Sequence, residues 1–126
     1  MFEGKAEEAM NLYTSLFEHS EIANITRYGV NEPGPEGSIK RATFTLNGTE
    51  YMCIDSAVKH DFTFTPAISI FVTCDTENEI DELYGQLSMG GKVLMPLAPY
   101  PFSPKFAWIT DRFGVSWQMG LMNKTS

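Results

Sequence analysis

The segment 115–121 carries the polar side chains best placed to bind a ligand. It alternates between apolar and polar or small residues, which predicts a strand with two different faces. Trp117 and Met119 are expected to face the helices, so Ser116 and Gln118 are expected to face a binding cleft. The Gln118 carboxamide can both donate and accept a hydrogen bond from a polar ligand. The alternative is that neighbouring side chains satisfy it.

The histidines and cysteines give weaker signals. His60 next to Asp61 could form an acid–base pair near a pocket, because imidazole titrates near neutral pH. Adjacent residues of an extended chain point in opposite directions, however, so a turn histidine at the start of a strand is the alternative. Cys53 and Cys74 lie in apolar, strand-like segments and are predicted to be buried free thiols rather than nucleophiles.

Aromatic side chains surround the proline-rich segment 98–104, which is predicted to be a loop. Over a cleft such side chains could close on a ligand, and otherwise they pack beneath the loop. The residues concerned are Tyr100, Phe102, Phe106 and Trp108, together with Phe62 and Phe64 further upstream.

Composition limits the classes of partner. The 126 residues carry a net charge of −7, and 43% of them are hydrophobic, which is enough for one domain with a packed core. Lys and Arg form no run, so nucleic acid and anionic membranes are not expected as partners. We find neither a bilayer-spanning apolar stretch nor a signal peptide pattern, so the expected location is cytoplasmic.

A repeat at a spacing of 71 positions indicates a duplicated module. The residues Glu8, Leu12, Tyr13 and Leu16 recur as Glu79, Leu83, Tyr84 and Leu87. Each copy is followed by a strand and then by two strands joined by a tight turn. Two pseudo-symmetric halves are therefore expected, with a ligand cleft between them.

The first half is predicted to contain one helix and three strands, followed by a linker with little order. The second half is predicted to open with a central strand covered on both faces, and to continue with a helix that begins in a Thr76–Glu79 capping box and ends at Gly90-Gly91. Pro96 places the next strand at a sheet edge. The predicted helices span 5–17 and 76–89; the predicted strands span 20–28, 39–46, 49–54, 67–74, 92–97, 106–110 and 115–122, with hairpin turns at 47–48 and 111–114.

The order is α-β-β-β followed by β-α-β-β-β. A complete first module would begin with a strand, and only residues 1–3 are present to form it. We therefore expect the first strand to be truncated, with further residues upstream.

The pattern resembles the vicinal oxygen chelate superfamily, which includes glyoxalase I, extradiol dioxygenases, fosfomycin-modifying enzymes and bleomycin resistance proteins. More narrowly, it resembles the PhnB-like, or demethylubiquinone methyltransferase-like, branch. The segments that carry this resemblance are 2–10, 28–37, 53–56, 60–66 and 108–118. It implies an α+β fold of one domain (residues 1–126), with two βαβββ modules at about 1–55 and 67–126, a linker at 56–66, and curled mixed sheets around a shared cleft.

The resemblance also defines where a metal ion would be held, because enzymes of this superfamily place a divalent metal on four strand positions. The last position falls on Gln118, after the Asp111-x-x-Gly114 turn, and its counterpart in the first module falls on Met52. The position on the first strand of the second module falls near Ala67 or Ser69 and not on a histidine, and the position on the first strand of the first module is missing. Only one of the four carries a plausible ligand, so no native metal and no cofactor are expected.

These observations predict that the protein binds a small molecule in the inter-module cleft without a metal. The alternatives are a divalent-metal-dependent lyase, isomerase or dioxygenase, and a purely structural dimer module. Methyl transfer is not supported, because no glycine-rich nucleotide loop is present. A homodimer is expected, and no catalytic residue is assigned. The candidate ligand-binding residues are Gln118, Trp108, Met52, Ser69, His60 and Phe102.

Overall fold

The computed structural model describes residues 1–121, which contain two helices and seven strands, and the strands form two sheets. The chain divides into two compact units, Met1–Asp61 and Phe62–Ser126, and the division falls within the predicted linker. The elements are α1 (Ala6–Leu16), β1 (Glu21–Arg27), β2 (Ile39–Leu46), β3 (Thr49–Cys53), β4 (Ile70–Cys74), α2 (Glu77–Ser88), β5 (Lys92–Tyr100), β6 (Ser103–Thr110) and β7 (Ser116–Leu121).

In the first unit, α1 packs on the antiparallel sheet β1-β2-β3. Its stripe of Ala9, Met10 and Tyr13 is buried, as the helical period predicts. Strand β2 has the predicted bounds and alternates between buried and more exposed residues. Asn47 and Gly48 have φ values of 51° and 82°, so both central residues of the hairpin turn adopt the left-handed conformation that a type I′ turn requires.

Asp55, just before the predicted linker at 56–66, is an ordered part of the first unit. Its side chain is 2% exposed. One carboxylate oxygen accepts hydrogen bonds from the backbone N–H groups of Gly4 and Ala6, both at 2.9 Å. The other accepts from the N–H of Ile39 at 3.0 Å. Asp55 therefore connects the start of α1 to the start of β2.

The second unit has the complete β-α-β-β-β order that the repeat predicts. Its sheet has the order β4-β7-β6-β5, with β4 parallel to β7 and the other pairs antiparallel. The first unit contains the corresponding parallel pairing in its shortest form, a single bridge between Phe2 and Asp55. Phe2 thus occupies the place that β4 has in the second unit.

The prediction that β4 is a central strand covered on both faces is wrong. Among the strands of residues 1–121, β4 lies at the edge of its sheet and pairs with β7 alone. Val72 and Cys74 are buried, whereas Phe71 between them is 58% exposed. A run of apolar and β-branched residues shows that a segment is a strand, but it does not show how many neighbours the strand has.

The prediction of a loop at residues 98–104 is also wrong. Strand β5 continues to Tyr100 and β6 begins at Ser103, so the segment forms a hairpin with its turn at residues 101–102. The prediction that Pro96 lies in an edge strand is confirmed, because β5 is at the edge of its sheet. An edge strand tolerates proline, and the register shifts between β5 and β6 also accommodate it. The final hairpin turns at residues 111–114 as expected, while Met122 of the predicted last strand lies outside the described residues.

Helix α2 begins after Thr76, whose hydroxyl accepts a hydrogen bond from the N–H of Glu79 at 3.2 Å. The Glu79 carboxylate reaches back to the N–H of Asp75 at 3.4 Å, one residue earlier than a standard capping box places it. No helix within residues 1–121 is long and apolar enough to cross a membrane.

Replacing Thr76 with alanine removes this cap. We expect the free energy of unfolding to fall by about 1 kcal/mol. Urea denaturation followed by circular dichroism measures the change, and Thr76→Ser, which keeps the hydroxyl, should remain close to the unchanged protein. An equal loss in both variants would contradict the role of the hydroxyl.

Candidate functional site

The sheet of the second unit has one face covered by α2 and one face that carries the candidate site. Helix α2 packs on this sheet, and the side chains of Trp117 and Met119 are 0% exposed. Gln118 lies between them in β7 and points to the opposite face. This arrangement agrees with the two faces predicted from sequence.

Cross-strand pairing brings further residues to the face that carries Gln118. Trp108 of β6 and Phe71 of β4 pair directly with Gln118 from either side. Phe106 pairs with Gly120 two residues further along β7. Directly paired residues point to the same side of a sheet, so all of these side chains share one surface. We call it the Gln118 face.

Four polar side chains on or beside the Gln118 face form one hydrogen-bond network. The Trp108 indole N–H donates to Ser116 Oγ at 2.8 Å. The hydroxyl oxygens of Ser116 and Ser69 are 2.6 Å apart. The Gln118 amide nitrogen donates to Ser69 Oγ at 3.4 Å. The structure thus brings together three of the residues predicted to bind ligand, and Ser116 is the member that joins them.

The Asp111 turn positions β7 for this network. One carboxylate oxygen of Asp111 accepts from the N–H groups of Phe113 and Val115, at 2.8 and 3.0 Å. The other accepts from the Trp117 indole N–H at 2.9 Å. The turn and the buried indole fix the direction in which β7 begins, and therefore the side on which Gln118 lies.

Aromatic rings extend the Gln118 face beside the polar network. Phe106 is buried, with its ring centroid 6.4 Å from that of Phe71 and 4.8 Å from that of Phe102. Phe71 and Phe102 themselves are 58% and 65% exposed. A Cβ at Gly120 would lie 3.2 Å from the Phe71 ring, so glycine leaves the ring room to lie against β7. The face therefore presents exposed rings next to hydrogen-bonding groups.

Two other predicted site residues belong to the first unit. Met52 lies on β3, opposite Thr43, and is 59% exposed. His60 is half-buried after the last strand of that unit. Neither takes part in the network of the second unit, and their role in ligand binding stays a prediction. Phe102 lies at the β5–β6 turn, where its ring stacks on that of Tyr100 at 5.7 Å between centroids.

The first unit also contains a cavity that the sequence did not predict. It has a volume of about 360 Å³. Asp55 is one of the residues that line it, and the Asp55 carboxylate already accepts three hydrogen bonds. The lining residues are Glu3, Gly4, Pro35, Ser38, Asp55, Ser56, Ala57, Val58 and Lys59.

Comparison with known proteins identifies the family. A family model described as 3-demethylubiquinone-9 3-methyltransferase matches residues 1–120. The chain belongs to this family. This family is the PhnB-like branch that the sequence analysis indicated. A search of curated proteins found no match to the chain.

Solved structures agree with this placement. A Bacillus cereus PhnB protein, described as a putative 3-demethylubiquinone-9 3-methyltransferase, is 63% identical, with 97% of this chain and 95% of that chain covered and a TM-score of 0.96. A protein from Pseudomonas aeruginosa is 26% identical, with coverage of 98% and 93% and a TM-score of 0.83. A glyoxalase/bleomycin resistance protein/dioxygenase from Alicyclobacillus acidocaldarius is 14% identical, with coverage of 98% and 88% and a TM-score of 0.58, and shares the fold.

The donor atoms of this PhnB-like chain do not suit the divalent metal that the superfamily implies. The hydrogen-bond network that includes Gln118 offers two hydroxyl groups and an indole. Catalytic zinc-type sites hold the ion with three protein side chains that carry imidazole, carboxylate or thiolate groups. Within the part of the chain that the structure describes, no three His, Cys, Asp or Glu side chains form such a group.

Both cysteines of the PhnB-like chain are buried free thiols, as predicted. Burial raises the pKa of Cys53 to about 11 and that of Cys74 to about 12. Since the thiolate is the reactive form, we expect neither thiol to react with 5,5′-dithiobis(2-nitrobenzoate) at pH 8 in the folded protein. In denaturant both should react. Rapid labelling of either thiol in the folded protein would contradict this.

Proposed function

We propose that this protein binds a small, flat aromatic molecule on the Gln118 face, without a native metal. The observation that carries the proposal is the combination on one surface of exposed aromatic rings and a connected hydrogen-bond network. Binding sites for small molecules are typically apolar surfaces with a few precisely placed polar groups.

The aromatic side chains support a ring-shaped ligand. Phe71 and Phe102 flank the buried Phe106 and leave much of their surface exposed. Burying this surface against a flat ring is favourable, and aromatic pairs gain further from their ring geometry. The family description names a methyltransferase of demethylubiquinone, a ring compound. Because the sequence has no glycine-rich nucleotide loop, we propose binding and not methyl transfer.

Isothermal titration calorimetry with 2-naphthol tests the proposal. We expect Phe71→Ala to weaken binding about tenfold, since an aromatic contact of this kind contributes about 1–1.5 kcal/mol. Met89→Ala is the matched control, because Met89 follows α2 and is similarly exposed at 62%. The control should bind 2-naphthol as the unchanged protein does. Equal affinity in all three proteins would contradict the proposal.

The metal-dependent alternative is tested separately by titration with Mn²⁺, Ni²⁺ and Zn²⁺ during thermal unfolding of protein purified without chelator. Binding to the folded state raises the unfolding temperature with metal concentration. We expect no saturable shift at metal concentrations close to that of the protein. A stoichiometric shift that Gln118→Leu abolishes would favour the enzyme. Homodimerisation and a cytoplasmic location stay predictions.

A further inference from the structure

The turn between β2 and β3 contains two groups that can react with each other. The carboxamide carbon of Asn47 is an electrophile, and the backbone nitrogen of Gly48 can close a five-membered ring on it. Glycine has no Cβ to hinder this close approach of the backbone. Asn-Gly occurs once in the sequence, at these two positions, and both residues are exposed to water.

The reaction converts the amide of Asn47 into a carboxylate, with water as the co-reactant. The Gly48 nitrogen loses its proton to a base in the solvent and forms a bond to Cγ of Asn47. The Cγ–Nδ2 bond breaks, and the nitrogen takes up a proton and leaves as ammonia. Water then opens the ring. Cleavage between Cγ and the Gly48 nitrogen gives aspartate, and cleavage at the backbone carbonyl carbon gives isoaspartate.

The folded first unit holds the Gly48 nitrogen in an unreactive form. Its N–H donates a hydrogen bond to the carbonyl oxygen of His19 at 3.0 Å. The N–H of Asn47 donates to Ser20 Oγ at 3.1 Å. Ring closure removes the Gly48 proton, so the bond to His19 must break first. The segment 19–20, which precedes β1, therefore restrains the turn.

We infer that Asn47 is a deamidation site that the folded first unit protects and that local opening of the β2–β3 turn exposes. Local opening of a hairpin needs less free energy than unfolding of the whole protein. The two hydrogen bonds together should slow the reaction about tenfold or more relative to the unfolded chain. Modification of Asn47 therefore marks molecules whose turn has opened, whatever the Gln118 face binds.

Peptide mapping by mass spectrometry tests the inference on the full chain. The protein is incubated at pH 8 with and without guanidinium chloride, and the aspartate and isoaspartate products at position 47 are measured over time. We expect conversion of Asn47 to be about tenfold slower or more in the folded protein. Asn24 is the internal control, because the bulky Ile25 follows it and hinders ring closure. It should react slowly under both conditions.

A serine variant tests whether the hydrogen bonds are the cause of the protection. Ser20→Ala removes the acceptor of the Asn47 N–H, and we expect Asn47 in the folded variant to react about threefold faster or more. Ser15→Ala is the matched control. Its hydroxyl donates to the carbonyl of Leu12 within α1, so its loss should leave the rate unchanged.

Each outcome supports or overturns the inference. Equal rates at Asn47 in the folded and the denatured protein would overturn it, and this comparison needs no variant. Absence of conversion in guanidinium chloride would also overturn it. If Ser20→Ala and Ser15→Ala react at the same rate, the restraint by segment 19–20 is not the protection, and the inference fails. Circular dichroism confirms that both variants are folded.

Discussion

Replacing Asp55 with alanine is expected to lower the free energy of unfolding by about 3–5 kcal/mol. The carboxylate is buried and accepts three backbone hydrogen bonds, two of them from the buried N–H groups of Ala6 and Ile39. Each buried donor left without an acceptor costs about 1–3 kcal/mol. Urea denaturation measures the loss, which should appear in the midpoint with little change in slope.

Two further variants isolate the cause of this loss. Asp55→Asn keeps one carbonyl oxygen and should lose less than Asp55→Ala. Asp61→Ala removes an exposed carboxylate and should change stability by no more than about 0.5 kcal/mol. A similar loss in Asp55→Ala and Asp61→Ala would show that the buried hydrogen bonds are not the reason.

Replacing Gly91 with alanine is expected to lower the free energy of unfolding by about 3 kcal/mol or more. A Cβ on Gly91 would lie 2.0 Å from the carbonyl oxygen of Thr110 and 2.9 Å from backbone atoms of Asp111. Backbone cannot move aside as the end of a flexible side chain can, so the end of β6 and the Asp111 turn must shift. Thermal unfolding followed by circular dichroism measures the effect.

Gly85→Ala is the matched control for Gly91→Ala, and we expect the opposite sign. Gly85 lies within α2, and a Cβ there meets no atom within 4 Å. Alanine in a helix is favoured over glycine by about 1 kcal/mol, so this variant should be more stable than the unchanged protein. Destabilisation of both variants by similar amounts would contradict the steric argument.

Local patterns predicted the elements whose formation depends on neighbouring residues. The helical stripes located α1 and α2, and alternation together with Asn47-Gly48 located β2 and its hairpin. The patterns failed where the outcome depends on distant residues. Asp55 receives hydrogen bonds from residues up to 51 positions away, and the edge position of β4 depends on which strand pairs with it.

The candidate site could be predicted only in part, because its members come from strands that are distant in sequence. Alternation along β7 placed Gln118 and Ser116 on one face. Ser69 was a candidate because it falls near a metal-ligand position of the superfamily, and Trp108 because it is an aromatic residue near segment 98–104. No local pattern shows that the two side chains meet at Ser116. The two hydroxyl groups are 47 residues apart in sequence, so only the pairing of β4 with β7 brings them together.

The parallel pairing of β4 with β7 has a consequence for biosynthesis. The first strand of the second unit to leave the ribosome has as its sheet partner the last one. Until β7 has emerged, the backbone N–H and C=O groups of β4 have no partner strand, and α2 has only part of the surface on which it packs. The sheet of this unit therefore closes only after its final strand has been translated, and β4 waits for its sheet partner until then.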